Sequence, residues 1–226
     1  MNSLAKRALD VLVSAALLVL LAPLLAAIAL LVAANLGGPV LFRQSRSGLH
    51  ELPFTLLKFR TMTYAVDRRG RLLTDDDRLT PLGRWLRRTS LDELPQLWNV
   101  FTGSMSLVGP RPLLMDYLGR YSTEQSRRHS VKPGITGWAQ VCGRNALSWE
   151  QKFTLDLWYV DHWSFARDLQ ILAETLWRTL RAEGISQPGH ATAEEFRGAS
   201  PVPDPAAAAA NRKESSSDGR GTCKHW

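Results

Sequence analysis

VLVSAALLVLLAPLLAAIALLVAA, residues 11–34, is the stretch that decides what kind of fold this chain has. Its 24 residues carry no charge. As one straight helix it would reach about 36 Å, enough to cross a bilayer core. The cations Lys6 and Arg7 precede it, as in a secretory signal peptide, but the apolar run is longer than an ordinary signal core. Pro23 stands at its middle, where it removes a backbone hydrogen bond and crowds the preceding turn. Each half is then about 18 Å long and reaches only part-way into a bilayer. Lys6 and Arg7 flank one side, and Arg43, Arg46, Lys58 and Arg60 flank the other. Positive charge at both ends favours the cytoplasmic side for both. The expectation is a re-entrant helix–break–helix hairpin over residues 1–36, broken at Pro23. Proline-kinked spanning helices also exist, so these residues alone leave a spanning helix open.

Outward from this segment, residues 37–186 read as one domain that is α+β and mostly helical. Residues 40–42 and 54–59 have strand composition around a Ser47-Gly48 turn, which predicts a short antiparallel hairpin. Lys58, Phe59 and Arg60 close its second strand, as a charged edge strand also would. Asp75, Asp76 and Asp77 read as a solvated loop and cap, since the glycine and terminal glutamate of a calcium loop are missing. Residues 81–88 suit an amphipathic helix with Leu82, Trp85 and Leu86 on one face and Arg84, Arg87 and Arg88 on another. That composition fits an interfacial helix on anionic lipid and equally an ordinary half-buried surface helix. Pro133 to Trp138 reads as a turn into an extended segment, and Gly143-Arg144-Asn145 as a second turn. Trp149, Phe153, Leu157 and Val160, and then Leu169, Leu172, Leu176 and Leu180, recur at helical spacing as core-facing stripes. From residue 187 the periodicity stops, and 187–226 reads as a disordered, low-complexity tail with an alanine run and a serine run.

The chemistry concentrates in LDELPQLWNVFTGSMSLVGPRP, residues 91–112. Asp92 and Glu93 form an adjacent acid pair, and Pro110-Arg111-Pro112 presents one guanidinium from a stiff turn. Two carboxylates can supply a nucleophile and a metal ligand, and an arginine can grip phosphate with two parallel hydrogen bonds. A plainer reading is that Ser90 and Glu93 make a capping box, with both acids stabilised by the dipole of the helix they open. On that geometry the pKa of Asp92 would be held low.

The net charge of +7 and pI near 9.8 favour an anionic partner, whether phosphorylated substrate, lipid surface or nucleic acid. Arginines and lysines are interleaved with apolar residues rather than collected in one block, Arg127-Arg128 being a further pair. The two cysteines, Cys142 and Cys223, show neither disulfide framework nor zinc spacing, and the five histidines form no metal motif.

LFRQSRSG (41–48), KFRTM (58–62), TSLDELPQLWNVFTGSMSLVGPRPLL (89–114) and KPGITGWAQVCGRN (132–145), together with the proline-broken apolar N-terminus, resemble the monotopic phosphoglycosyl transferases, also called bacterial sugar transferases. The resemblance covers residues 1 to about 185 and is closest to the minimal members, which consist of the re-entrant segment and the catalytic domain. It implies transfer of a phospho-sugar from a UDP-sugar to undecaprenyl phosphate with Mg²⁺, releasing UMP. It also implies residence in the bacterial inner membrane with the catalytic domain on the cytoplasmic face. By resemblance Asp92 is the nucleophile, Glu93 the partner that holds Mg²⁺ with it or assists proton transfer, and Arg111 the phosphate-binding arginine. Lys58, Arg60, Arg88, Pro110, Pro112, Arg144 and Asn145 match positions lining the site. The partners implied are the donor, the lipid acceptor and membrane lipid, without nucleic acid, while homodimerisation stays open. Two residues depart from the family pattern: Ala22 stands where serine often precedes the breaking proline, and Cys142 where asparagine is usual. The competing expectations are a membrane-anchored basic nucleic-acid-binding protein and a scaffold.

Overall fold

The computed structural model describes residues 4–143, 146–181, Phe196 and Gly198. The apolar run forms two helices, α1 (Leu4–Leu20) and α2 (Ala22–Leu36). They meet at 63°, and Pro23 lies in the first turn of α2, where its missing N–H leaves no helical bond broken. Leu21 still donates to Leu17 O and Leu25 to Leu21 O, so the bend occurs without loss of these backbone bonds. The break thus forms with Ala22 in place of serine. Among the described residues no single helix is long and apolar enough to cross a membrane; only the bent pair reaches that length and composition together.

α1 is not merely apolar. Lys6, Asp10 and Ser14 recur every four residues and all three are buried. That stripe faces protein, while Leu12, Val19 and Leu20 stay exposed on other faces. The two flanking cations read from the sequence as membrane-side charges are taken up internally. The Lys6 ammonium pairs with Asp168 at 2.5 Å, and Arg7 donates to the carbonyls of Val100 (2.7 Å) and Phe101 (2.8 Å).

The hairpin is β1 (Leu41–Ser47) against β2 (Pro53–Phe59), antiparallel, with Leu41 opposite Phe59 and Ser47 opposite Pro53. Its first strand runs further than residues 40–42, because the strand continues through Arg43 and Arg46, whose charge hid it in the sequence. A short helix α3 (Asp75–Arg78), N-capped by Thr74, takes up the three aspartates, and α4 (Pro81–Arg88) follows, capped by Thr80. Leu86 of α4 is fully buried with Ile28 and Val32 of α2 and Phe59 of β2, whereas Trp85 is 46% exposed. The apolar edge of α4 therefore packs on the N-terminal helices.

α5 (Gln96–Thr102) lies across β2. Asn99 on it donates to Thr55 O (2.8 Å) and accepts from Leu57 N–H (3.1 Å), so one side-chain amide pairs with the free edge of β2 as a further strand would. Two three-residue strands, β3 (Ser106–Val108) and β4 (Gly134–Thr136), pair in parallel. This pairing was not foreseen, and the segment after Pro133 stays extended only as far as Gly137 before α7 (Trp138–Cys142). Between the strands lies the one-turn helix α6 (Thr123–Ser126). A Cβ on Gly109 would stand 2.3 Å from Lys132 O, and one on Gly134 2.1 Å from Gly109 N, so only glycines let these backbones meet.

Two helices complete the described fold, α8 (Trp149–Asp161) and α9 (Phe165–Arg181). Phe153 of α8 is buried as expected, but its partners are Leu155, Asp156 and Tyr159 rather than Leu157 and Val160, which are half-buried. In α9 the expected stripe is only partly inward: Leu172 is half-buried against the core. Leu169 and Leu176 are 47% and 64% exposed, while Asp168 and Ile171 are buried; the side chain of Leu180 lies outside the described residues. The cause is the buried charge: Asp168 accepts from Lys6, from Tyr159 OH (2.7 Å) and from Trp163 Nε1 (3.0 Å), which turns its face of α9 inward. The expected tail from 187 onward lies outside the described residues except for Phe196 and Gly198. Phe196 is only 3% exposed, packed in an aromatic cluster with Tyr117 and Phe153.

Candidate active site

The acid pair does not form a capping box. Ser90 has a left-handed backbone (φ 57°) and its side chain caps nothing, and Leu91–Glu93 form a single 3₁₀ turn between α4 and α5. A left-handed serine costs of order 1 kcal/mol, and such residues cluster where chemistry fixes the backbone. The kink sends the two carboxylates to different partners. Glu93 Oε1 accepts from Lys58 Nζ and from Arg111 Nη2, both at 2.7 Å. Asp92 is 6% exposed beside this trio.

These surroundings drive the two acids apart. Burial, and then the negative charge of Glu93, push the Asp92 carboxyl up to about 6, with Lys58, Arg87 and Arg111 opposing. A low pKa was expected for Asp92 from a helix N-terminus; the 3₁₀ turn and its burial reverse that. For Glu93, burial favours the neutral acid, but Arg111 and Lys58 override it and hold the group below the ordinary glutamate range. Glu93 is thus a fixed anion near neutral pH, and Asp92 is an acid that ionises close to it.

Arg111 is held from both sides. Its carbonyl accepts from Arg128 Nη2 (2.8 Å), and Arg128 is itself bound twice by Asp156 Oδ2, through Nε (3.1 Å) and Nη2 (2.7 Å). Downstream, Ser47 N–H donates to Leu113 O at 3.2 Å, which ties the Pro-Arg-Pro turn to the end of β1. Upstream, Gly109 N–H donates to Thr136 O and Gly134 N–H to Pro110 O. Thus the 89–114 and 132–145 motifs, distinct in sequence, are one structure: the second is the brace of the first.

The acids open into a broad cleft of about 1770 Å³. One wall is cationic, with Lys58, Arg88, Arg111 and Lys152; the cleft also reaches Leu17 and Leu21, at the bend of the N-terminal helices. A cationic end and an apolar end beside the α1–α2 bend therefore share one cavity. Of the residues predicted for the site, Lys58, Arg88, Asp92, Glu93, Arg111 and Pro112 line this cleft together. Arg60 also reaches its lining, but its guanidinium donates to the carbonyls of Leu36, Gly37 and Gly38, closing the C-terminal end of α2. Pro110 borders a separate small recess with Ser47 and His129. Arg144 and Asn145 lie outside the described residues.

Sequence reasoning missed Arg87, Arg128, Lys152 and Asp156. Arg128 was legible only as half of a basic pair. Asp156 sits at helical spacing with Phe153 and could have been found by asking which charge interrupts an apolar face. Among the described residues no group of three or more His, Cys, Asp or Glu gathers as a metal cage.

A readily ionised buried acid among fixed cations is an arrangement suited to chemistry on an anionic substrate. The chain matches the family described as bacterial sugar transferase over residues 1–182. It is 61% identical over 168 residues to the uncharacterized sugar transferase EpsL of Bacillus subtilis, covering 74% of this chain and 83% of that protein. To the UDP-glucose:undecaprenyl-phosphate glucose-1-phosphate transferase of Caulobacter vibrioides it is 44% identical, over 76% of this chain and 68% of that one. To the undecaprenyl-phosphate galactose phosphotransferase of Salmonella typhimurium it is 38% identical, over 79% of this chain but only 41% of that one. The chain belongs to the bacterial sugar transferase family.

Proposed function

We propose that this protein transfers a sugar-1-phosphate from a UDP-sugar to undecaprenyl phosphate at the cytoplasmic face of the bacterial inner membrane, the first membrane step in building a glycoconjugate such as an exopolysaccharide. The observation that carries this reading is the divided acid pair: Asp92 buried with a pKa near 6, beside Glu93 locked to Lys58 and Arg111. The relatives named for this reaction act with glucose or galactose, and the sugar used by this chain is a matter for assay.

In the first displacement an Asp92 carboxylate oxygen attacks the sugar-bearing phosphorus of the donor. The bond from that phosphorus to the bridging oxygen breaks, its electron pair stays on the bridging oxygen, and UMP leaves. In the second, an oxygen of undecaprenyl phosphate attacks the phosphorus of the aspartyl phospho-sugar, and Asp92 departs as carboxylate. Near neutral pH Asp92 is ionised and needs no base. The obstacle is repulsion between anions, and Lys58, Arg88, Arg111 and Lys152 on the cleft wall offset it. Arg111 suits the transferred phosphoryl, because Arg128 and Asp156 fix its backbone before substrate arrives.

The donor set at the dyad fits Mg²⁺, which takes one or two protein carboxylates and fills its remaining positions with phosphate and water oxygens. Asp92 and the second oxygen of Glu93 would hold it, the first being occupied by Lys58 and Arg111. Bound there, the ion supplies positive charge to the diphosphate. The acceptor's long chain calls for an apolar path beside the chemistry, and Leu17 and Leu21 in the cleft lining offer one at the bend of α1 and α2. The hairpin is accordingly assigned as re-entrant, with Leu12, Val19, Leu20, Leu30 and Leu31 toward lipid.

The nucleic-acid and scaffold readings rested on interleaved cations and an anchor. Lys6, Arg7, Lys58, Arg60, Arg111 and Arg128 are instead engaged by carboxylates and carbonyls of the protein itself. The test is UMP release by the purified protein with Mg²⁺, undecaprenyl phosphate and a panel of UDP-sugars. Turnover with at least one sugar, abolished by chelation of magnesium, is expected. Absence of UMP release across the panel would overturn the reading.

A further inference from the structure

The family match ends at residue 182, yet the ring of Phe196, beyond it, is among the most buried side chains of the described residues. Its ring centroid lies 5.0 Å from that of Phe153, 5.6 Å from those of Tyr117 and Trp149, and 5.7 Å from that of Tyr121. Its backbone is held too: Phe196 N–H donates to Tyr117 OH at 3.2 Å, and Arg120 donates to Phe196 O. Four aromatic rings and two hydrogen bonds to its backbone make this a specific seat. Edge-to-face and stacked aromatic pairs of this kind stabilise beyond the area they bury.

The rings that hold Phe196 are also a wall of the cleft. Tyr117, Trp149 and Phe153 line it beside Arg111 and Lys152, and the Lys152 ammonium sits 4.6 Å from the centre of the Trp149 ring. Phe196 itself does not line the cleft. It fills space among rings of which three also border the substrate cavity.

We propose that Phe196 is a positioning residue: it wedges Tyr117 and Trp149 into the cleft wall, so that a segment outside the family's shared region sets the shape of the donor side of the active site. This rests on the function proposed above for the identity of the donor and for its place beside Arg111 and Lys152. Removing the ring leaves a hole behind a wall that otherwise has one packing, and side chains facing such a hole gain alternative rotamers. Substrate must then reorder the wall, which weakens binding while leaving Asp92 and Glu93, on the 3₁₀ turn, in place.

The test uses the full-length protein with Phe196→Ala and Phe196→Leu, the second keeping most of the apolar volume. Two quantities are read: KM and kcat for the UDP-sugar donor at saturating lipid acceptor, and amide hydrogen exchange over residues 113–121 and 149–156. Phe196→Ala should raise donor KM about tenfold with kcat within about twofold, and Phe196→Leu should recover most of that loss. Exchange in both segments should quicken for the alanine variant and not for leucine, a readout that stands even if no UDP-sugar is turned over. Unchanged exchange in Phe196→Ala would overturn the proposal. So would unchanged KM where turnover is measurable, or a fall in kcat with KM constant. If the alanine variant does not fold, Phe196→Val takes its place: raised donor KM with quickened exchange in both segments supports the wedge, and wild-type KM and exchange contradict it.

Discussion

Among the described residues, the buried charges at the foot of α1 and those at the dyad differ in what they leave unsatisfied. At the foot of α1, Asp168 receives Lys6, Tyr159 and Trp163, while Asp10 accepts from Ser106 Oγ (3.1 Å) and Leu107 N–H (2.9 Å). The Lys6 ammonium also donates to Val108 O at 3.1 Å. That cluster is closed: Lys6, Asp10 and Asp168 are all nearly inaccessible. At the dyad, Glu93 takes two cations, whereas Asp92 stays beside the cleft with its carboxyl pushed up to about 6. The difference teaches how one fold assigns its buried charges. Full pairing fastens the N-terminal helices to β3 and α9, and partial pairing keeps one acid ready to react.

The largest effect should come from breaking the closed cluster. Lys6→Met strands Asp168 in the interior and is expected to cost about 3–5 kcal/mol of stability, read as a fall in thermal midpoint in detergent or nanodiscs. A loss below about 1 kcal/mol would mean that the cluster is open to water.

The dyad should behave in the opposite sense. Asp92 has a folded-state pKa near 6 against an ordinary 3.8, so the folded protein binds that proton more tightly than the unfolded chain. The stabilisation from the protonated acid is full below the unfolded value and is lost as pH rises through about 6. Near pH 7 the ionised Asp92 therefore costs stability, and Asp92→Asn should raise the unfolding free energy by about 1–3 kcal/mol there and by little near pH 4. Destabilisation by Asp92→Asn at pH 7 would place Asp92 with Asp168 as a structural acid.

A smaller effect sharpens the same contrast. The first displacement needs Asp92 ionised, so UMP release at low donor should fall on the acid side as Asp92 protonates, with Mg²⁺ on the dyad moving the midpoint below the metal-free value of about 6. Glu93→Gln removes the neighbouring negative charge and should move that midpoint downward in whatever activity remains. A midpoint that does not move would detach Glu93 from the ionisation of Asp92.

Much of this contrast was legible in the sequence on one side only. The hairpin, α4, the acid pair and the Pro-Arg-Pro turn each sit in a short stretch whose composition states its role. The closed cluster joins Lys6 to Asp168 across the length of the domain, and no local period reports such a partner. The same pairing left Leu169 and Leu176 of the expected face of α9 outside, because helical spacing fixes which residues share a face but not which face goes inside. The strands β3 and β4 have three residues each, too few for an alternation to register. Arg111 was read as belonging to a stiff turn; its brace, Arg128 on Asp156, comes from two distant segments. Phe196 stands in a stretch whose composition reads as disordered, and only the aromatic seat formed by Tyr117, Trp149 and Phe153 reveals it.

The central claim is that Asp92 carries the phospho-sugar. Its most direct test is mass spectrometry of the wild-type protein quenched after incubation with Mg²⁺ and a UDP-sugar in the absence of lipid acceptor. The account predicts about one UMP released per active enzyme and a phospho-sugar adduct on the peptide bearing Asp92, discharged when undecaprenyl phosphate is added. The Asp92→Asn protein should give neither burst nor adduct. An unlabelled Asp92 peptide in an enzyme that turns over, with near-normal turnover in Asp92→Asn, would contradict it.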